Sequence, residues 1–146
     1  MRFPRRPEPP APEPVTDDAD TLRTRLAECC RYINSNAGRV PAGPVLVALT
    51  ICDLLRRVVD TAPDESLDVY TALSVERMVT DYLPTTLRTF LAVRSATPVA
   101  LLREQLDALL AAASAIELTA QQRDTDAMRT QGAFLRTKFT RSDLDL

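Results

Sequence analysis

The chain has 146 residues, 45% of them apolar and 26% charged, which fits one globular domain able to bury a real core. A net charge of −2 gives no electrostatic footprint for nucleic acid, and the absence of histidine removes the commonest general base and most catalytic zinc sites. No apolar run reaches the roughly 18 residues that a membrane span needs, and prolines follow Arg5 and Arg6 where a signal peptide would be apolar. The composition therefore reads as a cytoplasmic protein with no membrane span.

Residues 1–15 form the first segment. Six of the eleven prolines lie there, at Pro4, Pro7, Pro9, Pro10, Pro12 and Pro14, interleaved with Arg and Glu. Such a run favours extended conformation, cannot build a core and reads as a disordered tail. The helical domain then spans 16–140, and 141–146 form a C-terminal tail. A first helix should start near Thr16 to Asp18, with Asp17, Asp18 and Asp20 at its positive end. Leu22, Leu26, Cys29, Cys30 and Ile33 give it an apolar face, and Asn34, Asn36 and Gly38 signal its end. The turn that follows, 38–44, holds two of the three glycines in the chain.

A second helix is expected from Pro44, as its first residue, to Asp60. Val45, Leu46, Leu49, Ile51, Cys52, Leu54, Leu55, Val58 and Val59 make it apolar on most sides, so it should be the most buried. Arg56 and Arg57 mark its wet edge. A short turn folds it back on the first helix and brings Cys29 and Cys30 level with Cys52. These thiols lack metal-ligand spacing. They read as small buried hydrophobes, with a redox bridge between the first helix and Cys52 as the alternative.

A third helix should start near Asp64 to Ser66 and carry Leu67, Tyr70, Leu73, Met78 and Val79. It then meets Asp81-Tyr82-Leu83-Pro84-Thr85-Thr86-Leu87. Proline within a helix removes one hydrogen bond and presses on the carbonyl four residues back, here that of Thr80, at a cost of about 3 kcal/mol. It also pushes Leu83 away from the helical region. Either one helix ends near Asp81, with Asp81 capping the next, or a single helix continues through a kink. The run is a packed kink or a partner-binding epitope formed by Asp81 to Leu87.

Thr97 and Pro98 should start a fourth and longest helix, running to about Phe139. Leu102, Leu106, Leu109, Ala113, Ile116 and Ala120 alternate steps of four and three, the pattern of a seam between helices. The face turns polar between Thr119 and Thr130, where the helix frays or leaves the body, and recovers at Met128, Leu135 and Phe139. Gly132 costs about 1 kcal/mol against alanine and so points to a close backbone approach or a break. Short connections make neighbouring helices antiparallel. The expectation is an all-α, up-down four-helix bundle with a kinked third member.

The order from Asp81 to Leu87, then Phe90, a long helix with Leu106 and Leu109, and Gly132-Ala133-Phe134-Leu135, resembles the helical region of the XpaC-like family. That family is named for hydrolysis of bromo-chloro-indolyl phosphate, and a Tyr-Leu-Pro-Thr-Thr-Leu run recurs in it. The resemblance covers about 40–140. It implies a bacterial helical protein, cytosolic or membrane-peripheral, with links to toxic-anion resistance. It carries over no catalytic residue, and the Pro-rich start differs from a membrane-spanning one.

No Gly-rich phosphate loop can be built from three glycines at these spacings, and no Glu-x-x-His pair is present. Neither catalytic, cofactor-binding nor metal-binding residues are assigned. The reading is a non-enzymatic interaction or scaffold module that binds a protein partner or itself. A phosphoester hydrolase, resting on the resemblance, is the alternative.

Overall fold

A computed structural model describes residues 18–62, 67–93 and 98–144. Every regular element among them is helical: α1 (Ala19–Ser35), α2 (Ala42–Asp60), α3 (Val69–Arg77), α4 (Leu83–Ala92) and α5 (Val99–Leu144). A short 3₁₀ turn, Ala37–Arg39, precedes α2, and a π turn, Met78–Tyr82, joins α3 to α4. The Pro-rich segment 1–15 and the Thr97 cap lie outside the described residues.

Asp18 sets the start of α1, its carboxylate accepting from the Thr21 amide at 2.8 Å. Leu22, Leu26, Cys29 and Ile33 are buried along one stripe, at steps of four, three and four. The helix ends as Asn34, Asn36 and Gly38 suggest. The Asn36 side chain donates to the Tyr32 carbonyl at 2.8 Å, and the Arg39 amide closes the 3₁₀ turn on Asn36 at 2.9 Å.

Helix α2 starts at Ala42, so Pro44 is its third residue rather than its first. Proline is tolerated anywhere in that turn, because its first amides have no partner within the helix. Val47, Ala48, Ile51, Cys52, Leu55, Val58 and Val59 of α2 are all buried, as its composition requires. Of the other residues expected to bury, Val45, Leu49 and Leu54 are half-buried and Leu46 is 67% exposed on the wet side. This helix packs on both α1 and α5. Its last residue, Asp60, accepts from Arg23 of α1 at 2.9 Å. Arg57 faces Glu117 of α5 at 3.6 Å.

Helix α3 begins at Val69, later than Asp64 to Ser66, because Asp68 supplies the cap. Its buried face is Thr71, Ala72 and Val75. Tyr70 and Leu73, expected on the core side, are 66% and 42% exposed. Alanine and threonine fit against α1 and α5 where the larger pair would not.

The chain stays helical through Pro84. Leu83 keeps helical torsions, φ −70° and ψ −50°, rather than the extended ones its neighbour favours. The Leu83 amide donates to the Met78 carbonyl, five residues back, so the π turn carries the register past the proline. Asp81 caps nothing, and its carboxylate accepts from the Thr85 hydroxyl at 3.1 Å.

Helix α5 begins at Val99, with the Pro98 carbonyl taking the Leu102 amide at 3.0 Å. Leu102, Leu106 and Ala113 are buried, with Leu109, Ile116 and Ala120 packed half-buried beside them. The helix does not fray at Thr119, and it runs without interruption past Phe139 to Leu144. From Gln121 to Thr140 its side chains are exposed. Among the described residues Gly132 marks neither a break nor a close approach, since none of them lies within 4 Å of where a Cβ would sit.

Candidate functional site

The α3 end of the site is built by Asp68. Its carboxylate accepts the Tyr70 amide at 3.0 Å, the Thr71 amide at 3.4 Å and the Thr71 hydroxyl. Arg123 of α5 pairs with the same carboxylate. The Arg123 guanidinium also lies 5.9 Å from the centre of the Tyr70 ring. Partial burial raises the Asp68 pKa, but the hydrogen bonds from Thr71, Arg123 and Tyr70 outweigh it and hold the group below the ordinary carboxylate value. One carboxylate thus caps α3 and ties it to α5.

Between these helices runs an apolar groove of about 390 Å³. Tyr70, Leu73, Met78 and Tyr82 form one wall, and Ala112 and Ala115 form the floor. Two alanines open it, because their short side chains leave a trough where leucines would fill the space. Arg77 and Ser74 supply a polar edge.

The π turn decides which side chains face the groove. Val75, Val79, Leu83 and Leu87 are all buried, at 0%, 3%, 0% and 2% exposed, although each is four residues from the last. In a straight α-helix each step of four overshoots one turn, and three such steps would carry Leu87 off the core face. The wider turn absorbs that overshoot. Tyr82 is thereby left outside, 46% exposed, at the end of the groove.

The run from Asp81 to Leu87 therefore shares a sequence but not a surface. Leu83 and Leu87 belong to the core, Pro84 and Thr86 are half-buried, and Asp81, Tyr82 and Thr85 face solvent. Of the seven only Tyr82 lines the groove. Reading the sequence misses Tyr70, Leu73, Ala112 and Ala115 as groove residues. The repeated step of four from Val75 to Leu87, which ordinary helix periodicity does not fit, signals the π turn but none of these four residues.

The thiols make a second cluster. Cys29 and Cys52 are free and buried, their sulfurs 4.0 Å apart, as folding α1 onto α2 suggests. The Cys52 thiol donates to Cys29, and this bond together with burial pushes its pKa well up. Cys30 points to the surface of the α1–α2 contact, where Arg56 lies 3.4 Å from its sulfur. Burial raises its pKa as well. Among the described residues no three His, Cys, Asp or Glu side chains gather to hold a metal ion, and no helix is long and apolar enough to cross a membrane. No protein family, curated protein or solved structure matches the chain.

Proposed function

We propose that this protein is a non-enzymatic interaction module. Four helical rods, α1, α2, α3 with α4, and α5, form an up-down bundle that presents the α3–α5 groove to a partner helix. The observation that carries this reading is the exposed Tyr70, Leu73 and Tyr82 set along a floor of alanines. A groove of that chemistry accepts the apolar face of an amphipathic helix. Tyrosines suit the task, since each offers a large rigid surface and a hydroxyl that stays wet. Arg77 at the rim favours an acidic residue beside the partner's apolar stripe. The resemblance of the Tyr82–Leu87 run to the XpaC-like family supports a role in toxic-anion or stress resistance.

The test is capture from a native lysate by wild-type protein, by Tyr82→Ala and by Ala115→Leu. The last variant fills the floor from an exposed position and leaves the core alone. Proteins retained by wild type should be lost from both variants. Identical captured sets, or none with wild type, would sink the reading.

A further inference from the structure

We propose that the exposed part of α5 pairs two copies of this chain in an antiparallel coiled coil. This surface is a different face of α5 from the groove, and it stands or falls separately.

Beyond Arg123 and Asp124, which still border α2 and α3, residues 125–140 of α5 lie against no other helix among the described residues, a length of about 24 Å. Helices in proteins owe most of their stability to packing rather than to intrinsic propensity. The exposed residues are not random. Leu118, Thr125, Gly132 and Phe139 recur every seven residues, and Gln121, Met128 and Leu135 recur between them. Together they step by three and four along one stripe, the seam of a two-stranded coil. Leu118, Met128, Leu135 and Phe139 are 55%, 74%, 39% and 65% exposed. Gly132 sits in the middle of this stripe, and nothing among the described residues requires a glycine there. A second helix lying close against it would.

Charge selects a second copy and its direction. Asp124 and Asp126 precede the midpoint of the segment, with Arg123 turned to Asp68 and Glu117 to Arg57. Arg129, Arg136 and Lys138 follow it. An antiparallel copy lays the acidic half of each helix on the basic half of the other. Leu118 then meets Leu135 of the second copy, Thr125 meets Met128, and Phe139 meets the small Ser114. Gln121 fills the space over Gly132. At the flanks Asp124 meets Gln131 and Gln122 meets Arg129, with no like charges opposed. A parallel pair would stack glycine on glycine and set the basic halves side by side.

Sedimentation equilibrium on the full chain should give twice the chain mass at micromolar concentrations, and Leu135→Glu should return it to the single mass with helical content of the body retained. In mixtures, Gln121→Cys should form a disulfide with Gly132→Cys, identified by peptide mass, and Gln121→Cys alone should not link to itself. A single mass for wild type at every concentration, or a double mass that persists in Leu135→Glu, would overturn the proposal. So would a Gln121→Cys homodisulfide, which needs parallel strands. Loss of groove binding in Ala115→Leu with the double mass unchanged would separate the two surfaces.

Discussion

The amide of Leu83 reaches the carbonyl of Met78, one residue further back than an α-helix allows. That bond lets Pro84 sit inside a helical rod without ending it, and it divides the most distinctive run of the sequence between core and surface. Leu83→Ala should lower stability by about 2–5 kcal/mol, because Leu83 is fully buried. Tyr82→Ala, next to it, should cost under about 1 kcal/mol, since half of the ring is already wet. Urea unfolding of the two variants, at equal slope, checks the contrast. Equal losses would mean that the π turn does not separate the two side chains.

Asp68 both caps α3 and holds Arg123. Asp68→Asn keeps an N-cap acceptor and removes the charge that pairs with Arg123, so it should cost about 0.2–1 kcal/mol. The folded pKa is lowered from an ordinary 3.8, so the contribution is present above that value and is lost as pH falls through the lower folded value. Unfolding midpoints at pH 7 and pH 3 should therefore lie closer together in Asp68→Asn than in wild type. A pH dependence unchanged by the substitution would contradict this.

Cys30 should react with iodoacetamide first and Cys29 and Cys52 last. Cys30 is half-buried beside Arg56, whereas the other two are enclosed and Cys52 is held protonated by its bond to Cys29 and by burial. Peptide mass spectrometry over time gives the order. Labelling of Cys52 should accelerate only near the unfolding midpoint in urea, and early labelling would show that the α1–α2 contact opens locally.

Removing residues 127–146 should leave the body's unfolding midpoint within about 0.5 kcal/mol of wild type at low concentration, because the side chains of residues 127–140 are exposed. The truncated chain keeps Arg123 and its partner Asp68. If two copies pair along α5, wild type should melt at temperatures that rise with concentration, and the truncated chain should not. Calorimetry at several concentrations measures both.

Sequence alone determined the parts that depend on local chemistry. The apolar stripe from Leu22 to Ile33 placed α1 and its buried face, and the dense apolar content of α2 placed that helix but not which side of it is buried. Steps of four and three from Leu102 to Ala120 did the same for α5. The start of α1 near Asp18 and the Asn36 turn were legible for the same reason, since a side chain and the amides it satisfies lie within a few residues of each other. Tertiary structure decided the rest. Whether Tyr70 and Leu73 face the core depends on how closely α3 lies against α1 and α5, and only Thr71, Ala72 and Val75 fit that gap. Pro84 could end a helix or ride through it. The choice fell to Val79, Leu83 and Leu87, which stay buried together only if the turn before the proline widens. The groove has no sequence signature, because its floor and its wall come from segments some forty residues apart that meet only when Asp68 and Arg123 do.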